Sequence, residues 1–182
     1  EQAKAEAEKA QKEAWEEAVK AKENADKANT ELERLKASMT LKDGDLKNEE
    51  GVRYRVTNAA LGQAEAYAPV SKKARTIKIA ADIEVKGIKC RVTAVSDRAF
   101  SNMTKLTKVT IGKNVTSVGK KAFLGDKKLK KIYVKSKKLK KVEKQALKGI
   151  SSKAVIEVPD SRKKAYKKIF KGRGQKKSVK IK

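Results

Sequence analysis

The residues able to do chemistry in this sequence are defined first by what it lacks. It has no histidine and one cysteine, Cys90. A histidine-assisted nucleophile and a zinc site built from Cys and His therefore have too few members, and no disulfide can close within the chain. Lysine is so abundant that a Ser–Lys pairing carries no information, and no Gly-Xaa-Ser-Xaa-Gly spacing occurs. Gly172-Arg173-Gly174 lacks the spacing of a phosphate loop and precedes an extended stretch instead of opening a helix, so it reads as a turn. Asp43-Gly44-Asp45 resembles a fragment of a calcium loop, but no acid stands at the twelfth position. Alternation in Ile88-Lys89-Cys90-Arg91-Val92 makes Cys90 a buried small hydrophobe on one face of a strand. Neither a cofactor nor a metal is called for, and no catalytic residue is assigned.

What remains is charge and a patterned surface. The 182 residues hold 48 Lys/Arg against 22 Asp/Glu, a net +26. Residues 1–40 contain 8 and 10 of these, leaving 40 and 12 for the rest, so a nearly neutral N-terminal segment precedes a part carrying +28. Such a charge attracts polyanions in a salt-dependent way and says nothing about fold. Lysine predominates over arginine and aromatics make up 4%. Diffuse attraction is expected, without specific nucleic-acid readout.

Stepping inward along the short apolar stretches, Ile77/Ile79, Val109/Ile111, Ile132/Val134 and Ile156/Val158 alternate with Lys78, Thr110, Tyr133 and Glu157. The first set is expected to point inward and the second outward in one row. With the flanking Lys108, Lys131 and Lys135, the candidate ligand-binding residues are Lys78, Lys108, Thr110, Lys131, Tyr133 and Lys135. A solubilising face is the alternative.

The elements that would position this row come from an internal repeat. Val95, Ala99, Phe100 and Leu106 recur 23 residues later as Val118, Ala122, Phe123 and Leu129, and a third copy, 24 residues on, brings Val142, Ala146 and Leu147. Each unit reads as a strand (Val109-Thr110-Ile111), a turn (Gly112-Lys113-Asn114), a second extended piece (Val115 to Val118) and a helical turn (Lys120 to Leu124). One unit cannot bury its own apolar face, so the units must stack as a solenoid. After Pro159, Asp160-Ser161 is expected to cap a helix whose Ala165, Tyr166, Ile169 and Phe170 cover the last coil. Ser178 to Lys182 is expected to add an edge strand.

Residues 1–40, without Gly or Pro and rich in Ala, Glu and Lys, predict one long helix. Ala18, Ala21, Ala25, Ala28, Leu32, Leu35 and Met39 follow the alternating 3,4 spacing of a coiled-coil seam, continued upstream by Ala3, Ala7, Ala10 and Ala14. Ala18, Ala21, Ala25, Ala28, Leu32, Leu35 and Met39 are the candidate self-association residues; an isolated solvated helix, or one folded onto the repeats, is the alternative. Small alanine knobs make the pairing weak except at the Leu32–Met39 end. The expected organisation is a helix over 1–40, a linker over 41–51, a β-rich part over 52–92 and repeats with their cap over 93–182. The fold class is α+β.

The units at 92–106 and 115–129, with their Val-Thr-Xaa-Val and Ala-Phe signatures, resemble BspA-like leucine-rich repeats of the Treponema pallidum type, over about residues 75–182. The Lys-rich ending is similar to the C-terminal regions of such proteins in Gram-positive gut anaerobes. Leu147 in place of Phe, and Glu143 in place of the glycine at 119, depart from the pattern as a terminal repeat does. The resemblance implies a non-enzymatic, extracellular or wall-associated module for adhesion. Its implied partners are a host or bacterial surface protein, or an acidic glycan or teichoic acid. Two alternatives stand beside it: a spacer or homo-oligomeric assembly built on the helix, and nonspecific nucleic-acid binding. No apolar run is long enough to span a membrane. Because the chain begins at Glu1, a targeting segment is expected to have been removed upstream.

Overall fold

The computed structural model describes residues 2–182, which fall into two units, one ending at Thr40 and the other running Leu41–Lys182. The first is a single helix, α1 (Gln2–Met39), whose described side chains are all exposed. Strong helix formers and exposed pairs such as Lys9–Glu13 at 3.9 Å and Lys36–Glu33 at 2.9 Å support it. At 1.5 Å per residue it is about 57 Å long. The Leu32, Leu35 and Met39 end of the seam stands open, as does Trp15, which lies off the seam. The Ala3 side chain lies outside the described residues.

The second unit opens with an antiparallel meander of β1 (Leu46–Glu49), β2 (Val52–Asn58) and β3 (Gln63–Pro69). The expected linker over 41–51 is therefore corrected. Leu41 is buried in the core, and β1 pairs with β2 from Leu46↔Arg55 to Glu49↔Val52. The polar, Gly-punctuated composition is turn chemistry and not slack chain. Asp45 accepts the Lys42 N–H at 2.8 Å, Asp43 accepts the Ala59 N–H at 2.6 Å, and Gly44 supplies a φ of 89°.

The remaining strands are β4 (Thr76–Lys78), β5 (Asp82–Val85), β6 (Ile88–Val95), β7 (Lys108–Ile111), β8 (Ser117–Val118), β9 (Lys131–Val134), β10 (Lys141–Val142), β11 (Val155–Glu157) and β12 (Lys180–Ile181). They form two sheets, one ordered β1-β2-β3-β6-β8-β10 with β5 beside β6, the other β4-β7-β9-β11-β12. In the second sheet every pairing is parallel, and Ile77, Val109, Ile132, Ile156 and Ile181 stack in one register. This is a β-solenoid of about five turns, within the α+β class expected. Counting three repeat copies undercounts it, because the β5–β6 hairpin stretches the first interval and so hides the Ile77 copy from a fixed period. That hairpin turns on Lys86 and Gly87, both at positive φ (52° and 76°), as a two-residue turn of this kind requires.

The third side of each coil is not helical, contrary to the helical turn expected at Lys120–Leu124. Arg98, Lys121 and Gln145 adopt left-handed φ of 54°, 59° and 59° at equivalent places and break each turn. The freed peptides bond to the next coil instead: Phe100 N–H to the Ala122 carbonyl and Phe123 N–H to the Ala146 carbonyl, each at 2.9 Å. Phe100 and Phe123 stack face to face inside this ladder, with ring centroids 5.6 Å apart. Leu106, Leu129, Val95, Val118 and Val142 fill the space between the sheets. Cys90 is buried among them, and burial pushes its thiol above the usual value.

In the fourth coil α2 (Lys163–Phe170), entered through a 3-10 turn at Asp160–Arg162, packs beside β10. The expected Asp160–Ser161 side-chain cap does not form; the 3-10 turn makes the entry by backbone bonding. Tyr166 and Phe170 are buried. The Tyr166 hydroxyl donates to the Ser136 carbonyl and accepts the Leu139 N–H, both at 3.0 Å, which ties α2 to the loop leading into β10. β12 then adds to β11 as the edge.

Candidate binding surface

The parallel pairing brings Lys78, Thr110, Tyr133 and Glu157 opposite one another across β4, β7, β9 and β11, about 4.8 Å from strand to strand. The interleaved Ile77, Val109, Ile132 and Ile156 are buried, so the outer row is fixed by the core beneath it. The next column outward, Thr76, Lys108, Lys131, Val155 and Lys180, lays Lys108 and Lys131 side by side.

The members of the row are not equivalent. Lys78 is ion-paired with Glu50 at 2.9 Å, so an incoming anion would compete with that carboxylate. Thr110 is only 9% exposed, a short side chain between the long Lys78 and Tyr133. Glu157 places a negative charge at the far end. The Lys108 ammonium lies 5.2 Å from the centroid of the half-buried Tyr133 ring, and among the described residues neither Lys108 nor Lys131 has an ion pair. The surface that an anion could use is thus Lys108, Lys131 and the Tyr133 ring.

Lys135 goes elsewhere. It lines a cleft of about 420 Å³ at the corner after β7 and β9, together with Lys113, Asn114, Lys137 and Lys138. The sequence holds a trace of this: Lys113 and Lys135 each follow the last buried residues of equivalent strands. Reading strands alone leaves out the turns where the two coils meet.

A second groove, of about 440 Å³, crosses the other sheet and is lined by Arg55, Glu65, Asp97, Gly119 and Glu143 among others. Its charges are already engaged. Arg55 bonds Glu65 and stacks on Tyr67 at 5.6 Å, and Asp97 accepts the Lys120 N–H at 2.6 Å. Lys141 bonds Glu143 and holds its carboxyl below the usual range. Among the described residues no group of three or more His, Cys, Asp or Glu is placed to hold a metal, and no helix is long and apolar enough to cross a membrane.

Comparison with known proteins adds the following. The family model for the BspA type leucine rich repeat region, in six copies, matches residues 81–182. The solved structure of a leucine-rich cell surface protein from Faecalibacterium prausnitzii A2-165 superposes with a TM-score of 0.51 at 20% identity, over 65% of this chain and 38% of that one. A leucine-rich repeat protein from Bacteroides ovatus ATCC 8483 gives 0.37 at 16% identity, over 66% and 37%. The chain therefore spans less than two fifths of either protein, and the first likeness is one of fold. No curated protein matches the chain.

Proposed function

Since the chain belongs to the BspA-type leucine-rich-repeat family, we propose that it is a non-enzymatic adhesion module that works outside the cell, gripping an acidic glycan, a wall polymer or an acidic protein surface. The observation that carries this reading is the Lys108 ammonium over the Tyr133 ring on a parallel sheet, with Lys131 as the register neighbour of Lys108. Extended sheet faces are the usual contact surfaces of solenoids. A ring beside two lysines can stack on a sugar while the lysines meet its charge. The Faecalibacterium protein, described as a cell surface protein, is in keeping with an extracellular setting.

The test is a panel of acidic glycans and wall preparations, with binding measured at low and high salt. Binding that weakens as salt rises, and that the pair Tyr133→Ala and Lys131→Glu abolishes, is the expected result. Binding unchanged by that pair removes the site. A second reading, assembly through α1, is favoured by the exposed Leu32, Leu35 and Met39. Sedimentation of the full chain against residues 41–182 separates the two, because identical monomers remove the assembly role.

A further inference from the structure

Four lysines converge on the cleft between the turn after β7 and the segment after β9: Lys113, Lys135, Lys137 and Lys138. All four are exposed, and among the described residues none has an ion pair. Elsewhere on the repeats the fold does neutralise lysines, as with Lys78–Glu50, Lys86–Asp45, Lys89–Asp82 and Lys141–Glu143. Here no acid lines the cleft, and the nearby Asp82 is held by the Asn114 amide at 3.0 Å and faces Lys89 at 3.9 Å.

The frame beneath these charges is fixed. On one wall, Asn114 donates to the Ala81 carbonyl at 3.2 Å as well as to Asp82. Gly112 lies so close to the preceding coil that a Cβ there would meet the Ala80 carbonyl carbon at 2.6 Å. On the other wall, Ser136 is fully buried. Its hydroxyl donates to the Val115 carbonyl at 2.6 Å and accepts the Lys138 N–H at 3.0 Å, while its own carbonyl accepts from Tyr166. The Lys135 N–H bonds the Ile111 carbonyl at 3.0 Å, locking one wall to the other. The backbone bearing the four side chains is thus held from several directions, so the four lysine stems start from fixed points around one cleft.

We propose that this cleft is an oxyanion subsite that takes a phosphate or sulfate group carried on a polymer. Four unpaired ammonium groups around one cleft repel each other, and anion entry relieves the repulsion. Lysine presents a compact charge with three freely turning donors, suited to a tetrahedral group whose several oxygens each meet a different ammonium. A carboxylate offers two oxygens, and the planar fork that would grip it is absent, since no arginine lines the cleft. No aromatic ring lines it either, so the stacking that holds nucleobases is missing. The proposal deepens the adhesion reading above and rests on it only for the nature of the partner, because the cleft and the Lys108–Tyr133 surface share no residue.

The test titrates the full chain with inorganic tripolyphosphate in one arm and sucrose octasulfate in the other, at about 0.15 M salt. Three variants are compared with the natural sequence. The first carries Lys113→Gln, Lys135→Gln, Lys137→Gln and Lys138→Gln. The second removes the same charge from α2 by Lys163→Gln, Lys164→Gln, Lys167→Gln and Lys168→Gln. The third is Lys131→Glu with Tyr133→Ala. The cleft variant is expected to lose about tenfold or more in affinity for at least one probe, and the α2 variant about threefold or less. The arm that loses more identifies the oxyanion. The cleft variant should also melt no lower than the natural sequence at low salt, since it sheds mutual repulsion. No binding of either probe, equal losses in the two charge-matched variants, or a markedly lower melting temperature for the cleft variant overturns the proposal. A loss confined to the Lys131/Tyr133 variant overturns it while leaving the adhesion surface standing; a loss confined to the cleft variant does the reverse.

Discussion

Lys108 and Tyr133 sit on neighbouring parallel strands, two residues apart in register and so on the same face, with the ammonium 5.2 Å from the ring centroid. The contact orients a long side chain over the sheet. A half-exposed cation–π pair contributes about 0.5–1 kcal/mol. Lys108→Gln is therefore expected to lower stability by no more than about 1 kcal/mol, and Tyr133→Phe to cost less still because the ring is kept. Urea denaturation of both variants checks this. If Lys108→Gln is neutral while Tyr133→Ala is costly, the ring is held by packing alone and does not position the lysine.

Gly112 answers to a different constraint. Its backbone passes so near the preceding coil that a Cβ would lie 2.6 Å from the Ala80 carbonyl carbon and 2.8 Å from the Ile79 carbonyl oxygen. Backbone atoms cannot swing aside as a side chain can, so the coils must separate. Gly112→Ala is expected to cost about 3 kcal/mol, at the upper end for overpacking. Gly44→Ala, where no atom lies within 4 Å but φ is 89°, should cost only about 1 kcal/mol from backbone strain. Comparable losses at the two sites in denaturant titrations would mean that the coil spacing is softer than the close approach implies.

Much of this architecture is legible in the sequence because a period of two is a direct record of which side of a strand is wet. Ile77, Val109, Ile132 and Ile156 give the sheet its inner face, and the 23- and 24-residue recurrence of Val95, Val118 and Val142 gives the stacking. What escapes is whatever depends on side-chain length or on contacts across coils. Thr110 alternates outward yet is covered, because its neighbours in register are long. Leu41 and Asp45 look like linker residues yet close a turn and join the core, since turn-forming and disordered segments share a composition. The Lys113–Lys138 cleft needs two turns from different coils to be superimposed, and no single-segment pattern contains that. The third-side turns escape for a related reason: Arg98, Lys121 and Gln145 are not residues that announce a positive φ.

Asp126 puts a carboxyl where the neighbouring coils bury Met103 and Ile150. Its Oδ1 accepts the Met103 N–H at 2.7 Å, while Oδ2 is buried without a partner. Burial pushes this carboxyl up to about 7 from an ordinary value of 3.8, against the opposing pull of the Met103 N–H and of Lys72. The folded state thus holds the proton more tightly than the unfolded chain. The stability that this proton confers is complete below the unfolded value of 3.8 and disappears as pH rises through about 7. At about 1.4 kcal/mol per pH unit of difference, the group makes the protein less stable near neutrality than in mild acid by a few kcal/mol. Asp126→Asn keeps an acceptor for Met103 and removes the titration. Urea midpoints measured at about pH 5 and about pH 8 should differ less in the variant than in the natural protein, and the variant should be the more stable of the two at the higher pH. Comparing the two proteins cancels the other titrating groups they share. Equal pH dependence in both would show that Asp126 reaches water or a cation when charged, and that its orphaned oxygen is satisfied in solution.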